Sequence, residues 1–440
     1  MSDGQDGHGA TDVVVLGAGV SGLAAALKLA NTGCSVRILE ARDRIGGRIL
    51  TVRDDPWPVA VELGPEFIQG RIPALFSLAQ RAKQPVVELG GSRYEWRDGK
   101  LMSIGSDLSR AEQIMARLPD LKPHDDMSLN QFLGSRFEEQ PTLMAREWVE
   151  NYDAAYPDRV SVHFLTRERK AEQRIEGRRA FRVATGYDAV PAALHAQLPK
   201  DRVTLQLESI VTEVHWSPGA VQVSARDANG NARGPFKARR LVVTLPIGAL
   251  QAESVRFTPP LAHRKEALHG MEMGHVVKLA FLFKERFWER LFPDEVGFVL
   301  SMNEPVRVWW TGYPLYAPML MAWTGGPPAD ALSRIPPEHR VDRALDSLAR
   351  ITGMPRASID QQLVTWEAHD WAADPFARGA YSYVRVGGIS AQAELARPVE
   401  ATLFFGGEAT ELNGYQATVH GALFAGERAA DEVLRSLVSS

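Results

Sequence analysis

Residues 11–41, TDVVVLGAGVSGLAAALKLANTGCSVRILEA, decide the fold of the first part of the chain. Val13 to Leu16 form a short apolar run that is typical of a buried strand. Residues 21–33 have the small-residue spacing of a packed helix that Gly33 closes, and Val36 to Leu39 form the next apolar run. A strand, a helix and a second strand in this order predict a βαβ unit with parallel strands.

The turn between the first strand and the helix carries the pattern G-x-G-x-x-G, with Gly17, Gly19 and Gly22. The first glycine permits a tight turn, the second lets the backbone approach a pyrophosphate, and the third lets the helix pack on the strand. Glu40 ends the second strand, where a carboxylate is expected to bind ribose hydroxyls. Glycines also occur in ordinary turns, but this context predicts a dinucleotide site.

Two further segments indicate which dinucleotide is bound. ARDRIGGR (41–48) adds a second pair of glycines, and Arg48 can offer a fork of donors to a phosphate. Near the C-terminus, FFGGEAT (404–410) indicates a strand and a glycine turn, and ATVHGALFAG (417–426) indicates a helix whose positive end can stabilise a reduced flavin ring. Because segments near both ends of the chain contribute to this cofactor site, the sequence favours an extended FAD over NAD.

A chain of 440 residues is too long for one hydrophobic core, which predicts two domains. No linker separates two halves, and short strands with turn signals return at 202–246 between segments 75–199 and 263–369, which are richer in helical periodicity. We therefore predict an α/β fold, in which a Rossmann-like FAD-binding domain is interleaved with an α+β substrate-binding domain. The expected bounds are 1–75, 200–262 and 370–440 for the FAD-binding domain, and 76–199 and 263–369 for the substrate-binding domain.

Composition restricts the partners. The net charge of −4 argues against general binding to nucleic acid or to an anionic membrane. The basic run at 166–179 is interrupted by Glu168, Glu172 and Glu176, which predicts a solvated helix face. Cys34 is the one cysteine, so the chain can form no internal disulfide and no cysteine-based metal site, and we expect no metal. The polar residues 1–10 do not resemble a signal peptide, and we expect a soluble, cytoplasmic protein.

Six stretches together resemble one known family. The stretches are GAGVSGLAAALKLANTGCSVRILEARDRIGGR (17–48), VELGPEFIQG (61–70), LVVTLPIGAL (241–250), GHVVKLAFLF (274–283), DPFARGAYSYV (374–384) and LFFGGEATELNGYQATVHGALFAGERAADEV (403–433). In this order they are similar to the flavin-dependent amine oxidase family, which includes monoamine oxidases, polyamine oxidases, L-amino-acid oxidases and lysine-specific histone demethylases. DPFARGAYSYV most resembles the demethylase and plant polyamine oxidase branch. The resemblance spans nearly the whole chain.

The resemblance gives Lys278 a role. It lies in an apolar run where an ammonium group is poorly tolerated, unless it snorkels from an edge strand. In the family, a lysine in this strand reaches the flavin N5 edge, usually through a water molecule. Because desolvation disfavours the ammonium form, we expect Lys278 to be neutral and to hold that water.

The resemblance also implies the other site residues. Tyr381 and Tyr415 are expected to form a catalytic aromatic cage around the substrate nitrogen. Gln69, where relatives that oxidise polyamines often have His or Glu, and Trp323 are expected in the substrate pocket. Together with the motifs above, the resemblance predicts the following cofactor contacts: Gly17, Gly19, Val20, Ser21, Gly22, Glu40, Ala41, Arg42, Gly46, Gly47, Arg48, Gly64, Pro65, Glu66, Phe67, Val211, Gly407, Glu408, Ala417, Thr418 and Val419.

The expected reaction is the FAD-dependent oxidation of an amine C–N bond to an imine by hydride transfer to flavin N5. Oxygen, or another electron acceptor, is expected to reoxidise the flavin, with oxygen giving hydrogen peroxide. FAD is expected to be non-covalent, because Ala380 stands where monoamine oxidases carry the linking cysteine. No set of carboxylates for a polycation is evident from the sequence, and the additional domain and coiled-coil insertion of the histone demethylases are not recognisable. We expect a small-molecule amine substrate, no nucleic acid, no membrane, and allow for a homodimer.

Three alternatives remain open. Arg71 follows VELGPEFIQG closely enough to hold a substrate carboxylate, which would make the protein an L-amino-acid oxidase, although an exposed arginine at a helix start is the simpler interpretation. The same flavin chemistry also suits a specialised biosynthetic oxidase of an amide or ring C–N bond. A flavin-binding protein without turnover is the alternative from another class.

Overall fold

The computed structural model describes residues 11–97, 99–104, 106–119, 122–134 and 137–438. The polar segment 1–10, on which the signal-peptide expectation depends, lies outside them. The strands in the described residues are β1 (Thr11–Leu16), β2 (Val36–Leu39), β3 (Thr51–Val52), β4 (Val61–Glu62), β5 (Ile68–Gln69), β6 (Val86–Glu88), β7 (Ser92–Arg97), β8 (Lys100–Ser103), β9 (Ala180–Val183), β10 (Val203–Gln206), β11 (Ile210–Ser217), β12 (Ala220–Arg226), β13 (Ala232–Val243), β14 (Arg256–Thr258), β15 (Met271–Gly274), β16 (Val276–Phe283), β17 (Val296–Leu300), β18 (Val308–Thr311), β19 (Met319–Gly325), β20 (Leu363–Ala368), β21 (Tyr381–Val384) and β22 (Leu403–Phe405). The α-helices there are α1 (Val20–Asn31), α2 (Pro73–Arg81), α3 (Ser106–Met115), α4 (Leu129–Leu133), α5 (Glu139–Tyr152), α6 (Val162–Arg174), α7 (Ala189–Ala196), α8 (Ile247–Gln251), α9 (Ala262–His269), α10 (Gly326–Ser333), α11 (Pro337–Thr352), α12 (Arg356–Gln362), α13 (Ile389–Ala396) and α14 (Val419–Val438).

The first sheet contains the predicted βαβ unit. Its strand order is β10-β2-β1-β13-β12-β11-β14, and β22 also pairs with β13. β10, β2, β1, β13 and β22 are parallel, so that strands from three distant parts of the chain share one buried core. β11 and β12 are antiparallel neighbours in the region 202–246, where the turn signals predict short strands. In such sheets, ligands bind beyond the carboxyl ends of the parallel strands, where the glycine turn lies.

The second large sheet has the order β20-β16-β19-β18-β17-β7-β8 and is mostly antiparallel. β16 carries Lys278 and lies between β19 and β20, and all its residues are buried. Lys278 is therefore in the interior of the sheet, and the snorkelling lysine on an edge strand is excluded. Segment 263–369 is also less helical than its sequence predicts, because it supplies β15 to β20. Helices α10 and α11 cover the apolar face of these strands, and the helices and the sheet together form the α+β part of the molecule.

The two ends of the chain meet at the glycine turn. The backbone N–H of Gly407 donates to the hydroxyl of Ser21 at 2.8 Å. A Cβ at Gly426 on α14 would lie 2.1 Å from the carbonyl oxygen of Ser21 on α1, so these helices pack with their backbones nearly in contact. The C-terminal segment therefore completes the first sheet and its site. Within the described residues, none of the helices combines the length and the apolarity that a membrane crossing requires.

Candidate active site

The glycine turn after β1 has the geometry that the sequence predicts. Gly17 has φ +101°, a conformation that side chains disfavour. A Cβ at Gly22 would lie 1.9 Å from the carbonyl oxygen of Gly17, so this glycine is required for packing of α1. A Cβ at Gly19 would meet no protein atom within 4 Å, which leaves open space against the backbone at the start of a helix. Such a cradle suits a phosphate group, because helix N-termini attract anions.

Glu40 and the second glycine loop lie beside this turn. The carboxylate of Glu40 is buried and accepts hydrogen bonds from the backbone N–H groups of Ala18 at 2.7 Å and Arg42 at 2.9 Å. Burial raises its pKa, against these hydrogen bonds. Gly46 pairs with Gly19 in a short β-bridge, which brings the two glycine loops together. Glu40 and the two glycine loops therefore lie side by side, where they can bind the adenosine end of a dinucleotide.

A cavity of about 1460 Å³ joins these loops to the second sheet. It exceeds the roughly 300–1,000 Å³ of ordinary small-molecule pockets. With two exceptions, all the predicted catalytic, cofactor and pocket residues line it, including Lys278, Tyr381, Gln69 and Trp323. The exceptions are Gly22, whose role is packing, and Tyr415. The cavity has room for a dinucleotide together with a substrate.

Arg42 and Arg48 line the cavity, but both are engaged by carboxylates. Arg42 makes a bidentate ion pair with Asp374, at 2.9 Å and 2.8 Å. Burial opposes ionisation of Asp374, but hydrogen bonds from His369 and Arg42 hold its pKa well below the ordinary range. Arg48 donates to Glu408 and to the carbonyl oxygen of Ala380, both at 2.9 Å. A phosphate contact by Arg48 stays a prediction, whereas its contacts here tie the second glycine loop to the C-terminal motifs.

Lys278 is paired with a carboxylate. Its Nζ lies 2.8 Å from Glu66 Oε2 and 3.1 Å from the carbonyl oxygen of Gly64, and the side chain is almost fully buried. The sequence did not predict this partner, and an anionic partner favours the ammonium form of a lysine. Glu66, predicted as a cofactor contact, lines the cavity and also holds this lysine.

The structure places the two tyrosines of the predicted aromatic cage differently relative to the cavity. Tyr381 lines the cavity, and its hydroxyl donates to the carbonyl oxygen of Tyr152 at 2.8 Å. Tyr415 does not line the cavity, because its ring packs edge-on against His420 at 5.2 Å and against Phe424 at 5.9 Å. Thr418, three residues further on, does line the cavity. Its hydroxyl accepts a hydrogen bond from the N–H of Gly421 at 2.9 Å, in the first turn of α14.

A set of carboxyl groups at the cavity wall escaped the sequence-based expectations. Asp153, Glu168 and Glu172 line the cavity beside Tyr152 and Tyr381, and we call them the acidic wall. Glu168 and Glu172 are one turn apart on α6, so the expectation of a solvated face at 166–179 is wrong for these two residues. Their i, i+4 spacing was the available signal.

Burial sets the protonation of the acidic wall. It raises the pKa of Asp153 to about 7, against a hydrogen bond with Glu168, and it raises the pKa of Glu168 well above the ordinary value. The pKa of Glu172 is also raised by burial, although the hydroxyl of Tyr152 donates to it at 2.6 Å. Burial and the charges of Asp153 and Glu168 raise the pKa of Tyr381. Burial therefore favours the neutral, protonated form of these carboxyl groups.

Other residues of interest divide between the cavity and the rest of the molecule. His420 lines the cavity, and burial lowers its pKa to about 4, so its ring is neutral. Trp323 lines the cavity and donates to the carbonyl oxygen of Asn151 at 2.9 Å. Arg71 is exposed at the start of α2 and does not line the cavity, in agreement with the simpler interpretation of this residue.

Comparisons with known proteins identify the family of this chain. A family model described as flavin containing amine oxidoreductase matches residues 20–181 and 161–434. The chain is 28% identical over 455 residues to lysine-specific histone demethylase 1 homolog 2 of Oryza sativa subsp. japonica, covering 97% of this chain and 57% of that protein. It is 26% identical over 466 residues to polyamine oxidase 4 of the same plant, covering 97% and 89%. The structure of wild-type putrescine oxidase bound to putrescine has a TM-score of 0.80 at 22% identity, covering 97% of this chain and 99% of that one.

The chain belongs to the flavin containing amine oxidoreductase family. The resemblance and the fold class that the motifs predict are confirmed. The family is one of flavin-containing oxidoreductases, in agreement with the predicted flavin cofactor. A flavin-binding protein without turnover is not supported. The chain spans little more than half the length of the plant demethylase that it matches. The glycine cradles, Glu40 and the start of α14 fit FAD, which would supply a two-electron acceptor beside the cavity wall that Lys278, Tyr381 and Thr418 form.

Proposed function

We propose that this enzyme oxidises a C–N bond of an amine that carries a second positive charge, such as a diamine. The observation that carries this proposal is the acidic wall beside Tyr381 in the cavity. Three carboxyl groups in one wall, of which Asp153 is buried and the other two are half-buried, favour a cation, because a charged partner replaces the lost hydration. A substrate with one ammonium group near Tyr381 and another on the acidic wall satisfies both parts of the site. The putrescine oxidase neighbour, solved with putrescine bound, supports the same substrate class.

The residues of the chain have distinct roles in this proposal. The ring of Tyr381, fixed by its bond to Tyr152, offers an aromatic face to the reacting amine. Thr418 forms the wall at the start of α14. Bound FAD would accept two electrons and the α-hydrogen of the substrate, and oxygen would then take up the electrons and two protons to give hydrogen peroxide. Water hydrolyses the resulting imine.

The acidic wall also weighs against an amino-acid oxidase. A substrate carboxylate would be repelled by Asp153, Glu168 and Glu172 once they ionise. Arg71, the arginine considered for that role, is exposed away from the cavity. A diamine is therefore preferred over an amino acid, and a neutral amide would make no use of these carboxylates.

We also propose the domain division that the sequence predicts, with 1–75, 200–262 and 370–440 binding FAD, and 76–199 and 263–369 binding substrate. The first sheet draws its strands from the first set of ranges, and the second sheet draws its strands from the second set, which supports this division. The lone cysteine supports a cytoplasmic location.

The test is anaerobic reduction of the bound FAD, followed by its visible absorbance. The panel is putrescine, butylamine, cyclohexylamine, L-leucine and a methyl-lysine peptide. We expect putrescine to reduce the flavin with an apparent affinity at least about tenfold above that of butylamine, roughly 1.4 kcal/mol for one additional ion pair. Glu168→Gln should remove this preference. Glu266→Gln, an exposed carboxylate outside the cavity, is the matched control and should keep it.

Two results would contradict the proposal. Absence of flavin reduction by every amine would refute the activity. Equal affinity for putrescine and butylamine, or a preference for L-leucine, would refute the substrate class and leave the activity in place.

A further inference from the structure

Glu66 and Lys278 form a buried ion pair at the cavity wall. The Nζ of Lys278 is 2.8 Å from Glu66 Oε2, and the two residues are 3% and 7% exposed. The partners come from the loop after β4 and from the middle of β16, so the pair joins the FAD-binding motifs to the second sheet. The carbonyl oxygen of Gly64, at 3.1 Å, accepts a further proton of the lysine.

The other oxygen of Glu66 is also occupied. Glu66 Oε1 accepts from Nε1 of Trp310 at 3.0 Å and from the guanidinium of Arg182, which is itself 7% exposed. Lys278 Nζ lies 5.4 Å from the centre of the Trp310 ring. Two cations therefore share one carboxylate, and the cluster of Lys278, Glu66 and Arg182 has a net charge of +1.

The neighbouring ionisable group has a separate set of partners. Glu62 accepts from the N–H of Tyr187 at 2.6 Å and from the hydroxyl of Thr51 at 2.8 Å. Burial raises the pKa of Glu62 to about 7, against these hydrogen bonds and the charge of Lys278. In contrast, the charges of Lys278 and Arg182 outweigh burial and lower the pKa of Glu66. Glu66 is therefore the anion that compensates Lys278, and Glu62 is the matched carboxyl group that does not contact it.

We propose that Glu66 is a positioning residue, which holds Lys278 as an ammonium ion with its Nζ fixed at the cavity wall. The site then offers a permanent positive charge where the sequence alone predicts a neutral amine. A fixed cation in a dry site stabilises negative charge that develops beside it, as when a redox group is reduced. The ion pair is independent of the proposed function, and only the use of its charge depends on that function.

The test measures the charge of Lys278 by NMR in the FAD-loaded enzyme. The protein carries ¹³C at lysine Cε, and the loss of one signal in Lys278→Met assigns that signal. Between about pH 6 and about pH 9, below the ordinary range of lysine, we expect no titration of the Lys278 signal in the parent. In Glu66→Gln the signal should titrate within this window, and the absorption maximum of bound FAD should shift with it. Glu66→Asp should restore the behaviour of the parent.

Glu62→Gln serves as the control, since it removes a nearby carboxyl group and spares the ion pair. We expect it to leave the Lys278 signal unchanged across the window. A neutral Lys278 in the parent at pH 7 overturns the proposal without any variant, so a folding defect in Glu66→Gln does not leave it undecided. Equal titration in Glu66→Gln and Glu62→Gln also overturns it. If Lys278 gives an ammonium signal but no amine reduces the bound FAD, the proposed function is refuted and the proposal about Glu66 stands.

Discussion

The hydroxyl of Tyr381 donates a hydrogen bond to the backbone carbonyl oxygen of Tyr152 at 2.8 Å. This bond joins β21 to the end of α5, across 229 positions of the chain. Asp153 follows directly, so the bond places a carboxyl group beside the ring. In the reaction that we propose, this one contact positions both the reacting end of the substrate and its second charge. It connects the family motif at 374–384 with a helix that carries no motif.

The first prediction concerns the two glycines of the turn after β1. Gly19→Ala should fold normally and lose most of its FAD, because its Cβ would fill the phosphate cradle and meets no protein atom within 4 Å. Gly22→Ala should fail to fold stably, since its Cβ would lie 1.9 Å from the oxygen of Gly17. Thermal unfolding and the FAD-to-protein absorbance ratio distinguish the two variants. A stable, FAD-loaded Gly19→Ala would contradict the cradle.

The second prediction is a pH dependence of cation binding. Burial raises the pKa of Asp153 to about 7, so Asp153 is protonated below that pH and ionised above it. Binding of a bis-quaternary ammonium ion, whose own charge does not change with pH, should strengthen by about tenfold per pH unit up to about 7 and then level off. Calorimetric titration measures this. Asp153→Asn should flatten the profile, and an unchanged profile would exclude Asp153 as the titrating group.

The third prediction separates Tyr415 from Thr418. Tyr415→Phe should keep the activity of the parent, because the ring packs on His420 and Phe424 and does not itself line the cavity. Thr418→Tyr should instead obstruct the wall and lower the rate of flavin reduction by at least about tenfold, roughly 1.4 kcal/mol. Tyr381→Ala should lower the rate similarly while FAD stays bound. Stopped-flow absorbance measures all three. Slow flavin reduction in Tyr415→Phe would contradict this prediction and show that Tyr415 acts in the active site.

The fourth prediction concerns Lys278→Met. Reduction or reoxidation of the flavin should slow by at least about tenfold, roughly 1.4 kcal/mol of barrier. FAD should stay bound, and stability should fall by about 2 kcal/mol, less than the roughly 3–5 kcal/mol for a fully unpaired buried charge, because Glu66 keeps Arg182. Chemical denaturation and stopped-flow absorbance are the measurements. Lys284→Met, at an exposed lysine just beyond β16, is the control and should behave as the parent does.

The fifth prediction is that FAD is held without a covalent bond. Ala380 lines the cavity where monoamine oxidases have the linking cysteine, and Cys34 is buried beneath α1 and does not line the cavity. Acid precipitation should therefore release the flavin into the supernatant as intact FAD, which mass spectrometry identifies. Colour that remains with the precipitated protein would contradict this prediction.

The sequence by itself determined the nucleotide-binding part of the molecule. The glycine turn, Glu40 and the strands around them depend on backbone conformation and apolar spacing over about thirty residues, which local physical rules describe well. The same rules identified β16 and α14, whereas the family resemblance was needed to expect Lys278 and Thr418 at the cofactor site. Neither the rules nor the resemblance showed that the Tyr415 side chain does not line the cavity, because the segment before α14 is irregular and its side-chain directions follow no period.

Only the tertiary structure decided how the charges are arranged. Glu66 and Lys278 are 212 positions apart, so no periodicity relates them, and their pairing supports the ammonium form that we propose where burial alone predicts a neutral amine. In the same way, Glu168 and Glu172 lie on one face of α6. The sequence pattern of that face is typical of an ordinary surface helix. Both glutamates became part of the acidic wall because Tyr152 and Asp153, at the end of α5, lie against that face. The solvation of a residue depends on what the rest of the chain places next to it. For these carboxyl groups, solvation sets their protonation, and their protonation and position are the basis for the substrate that we propose.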